Sequence, residues 1–163
     1  MSSIPGMEPL TARGQPPNIT ALSERLCGTR FPGGTYTITT DIHSTVTALV
    51  EATDHPQTVH PALCIVTALN AIGLPLDQVC LLAEANINDG PLLGECDIRL
   101  HRPLQVDEPY SVSGQITGVT RKRSQRLGLM DLLAFTLNIA SSEGKAVADV
   151  GLVWILPRPE PLQ

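Results

Sequence analysis

The sequence predicts an α+β fold in which an antiparallel sheet encloses one short apolar helix. Residues 60–73 carry the first observation, because the interior of this stretch has only two polar residues, Thr67 and Asn70. A helix on a protein surface leaves roughly half of its circumference to polar residues, so this helix should lie inside the fold. The second observation is the chain after residue 92, where apolar and polar residues alternate as they do in strands.

The length of 163 residues fits one domain with a full core. Hydrophobic residues make up 42% of the chain and charged residues 17%, as in globular proteins. We expect a single domain over residues 19–158. Residues 1–18 contain four prolines and little periodicity, which predicts a flexible N-terminal arm, and residues 159–163 form a C-terminal tail.

Composition disfavours several classes of partner. A net charge of −5 and 3% aromatic residues argue against nucleic acid, which requires clustered basic residues and stacking platforms. No stretch approaches about 18 consecutive apolar residues, and the first ten residues do not resemble a signal peptide. We therefore expect no membrane partner and a cytoplasmic location. The four widely spaced cysteines fit buried, reduced thiols in such a compartment, and their spacing gives no metal-binding pattern.

Helices and one strand are predicted before the sheet. The central helix starts near Pro61, which suits a first helical turn because its missing N–H would have no partner there, and Gly73 ends the helix. An earlier amphipathic helix shows apolar residues at helical spacing, and Thr40 or Asp41 can cap it. In order, the predicted elements are a helical turn over 19–26, a strand over 35–40, a helix over 42–53, the central helix over 60–73 and a short helix over 76–84.

Four strands are predicted in the second half of the chain. The first two alternate apolar and polar residues, which indicates one wet face. The last two carry apolar residues on both faces, so one face can cover the helix while the other needs a neighbour. A second copy of the chain, or a closely related one, would supply that neighbour in a dimer. The strands are predicted over 93–101, 109–120, 129–140 and 145–156, with a turn over 102–109 and a connection over 121–128.

Several stretches have the order and spacing of a known family. They are the strand, helix and closing Asp of TYTITTDIHSTVTALVEATD, the helix start of HPALCIVTAL, the strand, turn and strand of IRLHRPLQVDEPYSVSGQITGV, and the last hairpin with its closing Arg in RKRSQRLGLMDLLAFTLNI and SSEGKAVADVGLVWILPR. Together, over residues 28–158, they resemble the MaoC-like acyl-thioester hydratases and dehydratases, and among these the FAS1-type dehydratase N-terminal domain. The resemblance implies a hot-dog fold, in which a curved antiparallel sheet wraps one central helix.

The resemblance also implies a site at the start of the central helix. Family members use an Asp and a His that face each other, in a D-x-N-P-x-H pattern, to move a proton and to position water. Here Asp54 takes the place of the Asp, and His60 lies one position beyond the expected His. His55 is an alternative for that role, and a purely structural loop is the third alternative. The family's carbonyl-binding amides correspond to the N–H groups of Ala62 and Leu63.

A basic cluster is the second candidate binding feature, made of Arg121, Lys122, Arg123 and Arg126. We expect Arg121 and Lys122 to bind the phosphates of coenzyme A or the acidic face of an acyl carrier protein, through charge-assisted contacts. The alternative is a solvated connection between strands. Asp131 lies either at the rim of a pocket or paired with an Arg across the sheet.

The function implied is reversible hydration and dehydration of an acyl thioester, carried by coenzyme A or an acyl carrier protein, in a homodimer or related heterodimer. No cofactor and no metal are expected. A non-catalytic acyl-binding subunit is the first alternative. The second is a hot-dog scaffold that acts as an isomerase or cyclase on another small molecule in a biosynthetic pathway. A thioesterase is disfavoured because the central helix carries no carboxylate.

Overall fold

A computed structural model describes residues 15–51, 59–126 and 128–158. Most of the predicted arm, residues 1–14, and the predicted tail, residues 159–163, lie outside the described residues. The elements are α1 Ile19–Leu26, β1 Gly34–Thr37, α2 Thr40–Leu49, α3 Leu63–Asn70, α4 Leu76–Leu82, a 3₁₀ turn at Ile87–Asp89, β2 Leu92–Leu100, β3 Pro109–Ser124, β4 Gly128–Ser141 and β5 Ala146–Pro157. None of the helices in these ranges is long and apolar enough to cross a membrane.

The five strands form one antiparallel sheet in the order β1-β3-β4-β5-β2. Consecutive strands β2 and β3 are therefore not neighbours, and residues 101–108 cross from one side of the sheet to the other. The sequence predicted a simple turn there. The crossing segment is held by the N–H of Asp107, which donates to Ile38 O at 2.8 Å, and Asp107 adopts a left-handed φ of 60°.

The predicted central helix is confirmed as α3, which contacts β1, β3, β4 and β5. The side chains buried on the sheet side are Leu63, Cys64, Thr67 and Ala68. The opposite face carries half-buried Ile65, Val66 and Leu69. The sheet therefore encloses one side of α3, and the other side stays apolar and partly open.

Helix α3 starts two residues after the predicted turn at Pro61. The N–H groups of Leu63, Cys64 and Ile65 each bond to the carbonyl three residues earlier, at 2.9, 2.9 and 3.2 Å. Such tight bonds satisfy the first donors of a helix that has no side-chain cap at Ala62. Residues 60–62 are thus a turn that leads into the helix.

Strand β3 is longer than predicted and includes most of the basic cluster. It pairs with β4 as far as Ser124, so Arg121, Lys122 and Arg123 lie in the strand and not in a connection. Gly128, at a left-handed φ of 67°, allows the chain to reverse immediately afterwards. The strand extends beyond its predicted end because β3 keeps its hydrogen-bonded partner β4 up to the turn. Pairing of this kind tolerates exposed charged residues in a strand.

Candidate functional site

His60 lies in the turn before α3 and is half-buried. Its ring Nδ1 accepts the N–H of Ala62 at 3.2 Å. In a neutral imidazole one nitrogen accepts and the other carries the proton, so this contact places the proton on Nε2. The ring therefore presents an N–H donor on the side away from Ala62.

The two amides predicted to bind a carbonyl already have acceptors. The N–H of Ala62 is donated to the His60 ring, and the N–H of Leu63 is donated to His60 O at 2.9 Å. Pro61 has no N–H, and Leu63 is fully buried. In this conformation neither amide is available to a thioester carbonyl, and Ala62 becomes available only if the His60 ring turns away.

The predicted partner of His60 and the alternative to His60 fall outside the described part of the chain. Asp54, the partner, and His55, the alternative histidine, belong to residues 52–58, which separate α2 from the turn that carries His60. The structure thus places His60, Ala62 and Leu63 together, and the pairing of Asp54 with His60, or with His55 in its place, stays a prediction.

The turn that carries His60 rests on the crossing segment 101–108. Val59, which precedes His60, donates its N–H to Leu104 O at 3.3 Å. Next to Leu104, the N–H of Gln105 donates to the hydroxyl of Tyr110 at 2.8 Å, and this hydroxyl donates to Glu108 Oε2 at 2.9 Å. Burial, opposed by the Gln105 N–H and reinforced by Glu108, raises the pKa of Tyr110 to about 12. The phenol is therefore neutral at physiological pH and acts as both donor and acceptor.

Sequence reasoning missed two buried polar residues on α2. The histidine of this helix, His43, is only 4% exposed, and Thr47 is 6% exposed. The two residues are four apart, so they share one face of α2, and that face is directed into the protein. The i, i+4 spacing was the available signal. It was hidden because a polar residue on a buried face contradicts the usual amphipathic pattern.

The basic cluster contains a buried ion pair. Asp131 is fully buried, and the Arg121 guanidinium contacts both of its oxygens, Nε to Oδ1 at 2.7 Å and Nη2 to Oδ2 at 2.9 Å. The side chain of Arg121 is 20% exposed, and its hydrogen bonds to Asp131 raise the pKa of the guanidinium. Of the two alternatives for Asp131, the structure shows the pairing with an Arg across the sheet.

A second guanidinium completes this ion pair. Arg158 donates from Nε to Asp131 Oδ2 at 2.8 Å, and its other nitrogens donate to the carbonyls of Ala83 and Glu84 at the end of α4. The Arg158 side chain is 8% exposed. Arg121 therefore joins a structural network, whereas Lys122, the other predicted phosphate ligand, is exposed. Any contact of Arg121 with a ligand competes with its bonds to Asp131.

Edge strand β2 exposes an apolar inner face. Leu93 and Leu100 lie opposite the buried residues Trp154 and Ala148 of β5, so they face the helix side of the sheet. They are nevertheless 56% and 42% exposed. Within the described ranges, the side of the sheet that holds α3 is thus left uncovered along β2, and the outer backbone edge of this strand has no strand partner there.

Comparisons with known proteins give likenesses in structure. No protein-family model and no curated protein matches the chain. The ChsH1–ChsH2 complex of Mycobacterium tuberculosis is similar with a TM-score of 0.62 and 14% identity, over 88% of this chain and 90% of that one. A monoamine oxidase regulatory protein from Archaeoglobus fulgius gives a TM-score of 0.59 and 14% identity, over 82% and 92%. A hypothetical protein of Staphylococcus aureus in complex with CoA gives 0.52 and 13%, over 80% and 71%.

Proposed function

Since the chain has the fold of the MaoC-like hot-dog proteins, we propose that it binds an acyl thioester and catalyses reversible hydration and dehydration of the acyl chain. The substrate class is an enoyl or 3-hydroxyacyl thioester of coenzyme A or of an acyl carrier protein. The observation that carries the proposal is His60, a half-buried imidazole at the start of the central helix with its Nε2–H directed away from Ala62. The similar fold seen in complex with CoA supports the thioester class.

The tautomer of His60 favours a division of roles. A neutral imidazole whose Nδ1 is occupied donates through Nε2–H, and it accepts a proton only by giving up its bond to Ala62. We therefore assign His60 to holding the water oxygen and Asp54 to moving the proton. His55 is the alternative to His60. In hydration, the carboxylate takes a proton from water as the oxygen bonds to Cβ, and the carboxylic acid returns that proton to Cα.

Binding of the thioester carbonyl by an amide requires a local change. Ala62 can donate its N–H to the carbonyl only in a conformation in which the His60 ring has turned away, and in that conformation the bond to Ala62 no longer fixes the proton on Nε2. The positive end of the α3 dipole would favour the developing negative charge in either conformation. Leu63 contributes only if its bond to His60 O opens as well. At the carrier end, exposed Lys122 is the proposed phosphate ligand, whereas Arg121 projects to the opposite face of β3 and is held by Asp131.

The proposed assembly is a dimer formed along β2. Exposed Leu93 and Leu100 would be covered by a second copy or a related chain, and the free edge of β2 would gain backbone partners. The similar fold in the ChsH1–ChsH2 complex supports assembly with a partner chain.

One alternative has a specific observation in its favour. The occupied amides of Ala62 and Leu63, together with Pro61, fit a non-catalytic acyl-binding subunit that shapes the pocket for a partner. Such a subunit would bind thioesters without converting them.

Wild-type turnover separates the two functions, and variants of His60 test its role in hydration. His60→Asn keeps an acceptor where Nδ1 lies, so the bond to Ala62 survives, but it removes the Nε2–H. His60→Gln places its amide further out and loses that bond. If the hydratase proposal holds, both variants keep the fold and bind a short enoyl thioester, and both slow its hydration by about a hundredfold. Wild-type protein that binds short and long enoyl thioesters, but converts none of them in either carrier form, would support the non-catalytic subunit.

A further inference from the structure

Tyr110 is buried at the start of β3, where it lies opposite Tyr36 of β1. It is 1% exposed, yet its hydroxyl has two hydrogen-bond partners, the N–H of Gln105 and the carboxylate of Glu108. Both partners belong to the crossing segment 101–108. A buried phenol usually reaches a polar partner, and here the partners fix the segment against the sheet.

The same segment fixes the backbone at His60. Leu104, adjacent to Gln105, accepts the N–H of Val59, and these two residues are 1% and 3% exposed. Val59 is bonded directly to His60. One hydrogen bond from the Gln105 N–H to the phenol, one backbone hydrogen bond and two peptide units thus join the Tyr110 hydroxyl to the residue that carries the imidazole.

We propose that Tyr110 is a positioning residue for His60, which it holds at the start of α3 through the crossing segment. The proposal rests on the proposed function insofar as His60 takes part in the reaction. Loss of the hydroxyl leaves the Gln105 N–H and Glu108 without their partner, so the peptide that carries Leu104 O can move. Because a displacement near 1 Å at a reacting group can cost about a hundredfold in rate, even a partial shift of His60 should be measurable.

The test compares Tyr110→Phe with Tyr36→Phe in the full chain. The control removes a phenol hydroxyl from the residue directly across the strand pair, and that hydroxyl makes no hydrogen bond within the described ranges. His60 is followed by its imidazole ¹H–¹⁵N signals, which are assigned by their loss in His60→Gln. Turnover of an enoyl thioester is measured on the same samples.

In Tyr110→Phe, we expect a folded protein with displaced His60 signals. Its kcat should fall about tenfold while KM changes by less than about twofold, because the ring that moves acts on the chemical step. Tyr36→Phe should change neither quantity. If Tyr110→Phe does not fold, Glu108→Ala leaves the phenol in place and should displace the same signals in a smaller degree.

A folded Tyr110→Phe protein with unchanged His60 signals overturns the proposal, and so does unchanged His60 in folded Glu108→Ala. If wild-type protein has no hydratase activity, the proposed function fails, but the imidazole signals still decide whether Tyr110 positions His60.

Discussion

Replacing Arg121 with Ala should destabilise the fold, whereas replacing the adjacent Lys122 with Ala should not. Asp131 is 0% exposed and depends on guanidinium groups for both of its oxygens. Lys122 neighbours Arg121 in β3 but projects to the opposite face of the sheet, where it is exposed. The two substitutions remove the same charge from neighbouring positions, so they form a matched pair.

The magnitude follows from the bonds that each variant keeps. Breaking a buried ion pair costs about 3–5 kcal/mol, and a hydrogen bond to a charged group contributes about 1.5–3 kcal/mol. In Arg121→Ala, Asp131 loses two contacts but keeps the bond from Arg158 Nε at 2.8 Å. We therefore expect the free energy of unfolding to fall by about 3 kcal/mol, the low end of the range for an ion pair and of the sum for two such hydrogen bonds, which lowers Tm by about 6–12 °C for a domain of this size. Lys122→Ala should stay within about 0.5 kcal/mol of wild type.

Calorimetry and urea unfolding measure this difference, with an unchanged urea slope as the check that both variants unfold from the same state. Arg121→Lys serves as a further comparison, since an ammonium cannot reproduce the two-pronged contact with Asp131. Equal stability of Arg121→Ala and Lys122→Ala would refute the structural role. Loss of thioester affinity at unchanged stability would instead assign Arg121 to the ligand.

Three further predictions concern a surface ion pair, the thiols and the edge strand β2. His101 bonds to Asp149 at 2.8 Å and, as the largest cause, lowers the pKa of this carboxyl below its ordinary 3.8. The pair therefore stabilises the fold above pH 3.8, and this stability is lost as pH falls through the lowered pKa of Asp149. The free energy of unfolding of Asp149→Asn should therefore lie below that of wild type near neutral pH and should converge with it in acid. Burial raises the pKa of Cys64 to about 11, so a thiol reagent should label exposed Cys27 in native protein and Cys64 only after unfolding; equal labelling would contradict the core packing. Leu93→Lys should give monomers in sedimentation at micromolar concentration, while an exposed Glu95→Lys should not; a monomeric wild type would remove the proposed dimer.

The architecture could be predicted because the clearest pattern in the sequence, an apolar helix, also imposes a physical requirement, namely burial of that helix. An apolar helix of about three turns has to be enclosed, and α3 lies against four strands as expected. Pairing was less accessible, since alternation reveals a strand but not its neighbours. The crossing of residues 101–108 and the extension of β3 to Ser124 depend on partners distant in sequence.

The site was predicted in part, and the errors have a common cause. His60 does lie at the start of α3, as local sequence order indicated. The hydrogen bond from the Ala62 N–H to His60 Nδ1 depends on the orientation of the imidazole ring, which no pattern of residue types encodes. The burial of His43 and the hydrogen bond between the Tyr110 hydroxyl and Gln105 of the crossing segment also depend on tertiary contacts that the sequence does not reveal. For Asp131 the sequence left two alternatives, because a lone carboxylate in an apolar strand needs either a solvated pocket rim or a cation, and only the fold shows which of them it has.

Hydration of an enoyl thioester in H₂¹⁸O tests the central proposal most directly. The wild-type chain should yield a 3-hydroxyacyl thioester with one ¹⁸O at C3 and the thioester bond intact, at a rate that falls by about a hundredfold in His60→Asn. Label that appears only in a released carboxylic acid would indicate thioester hydrolysis and contradict the account. Bound thioester that gains no label from wild-type protein would contradict it as well.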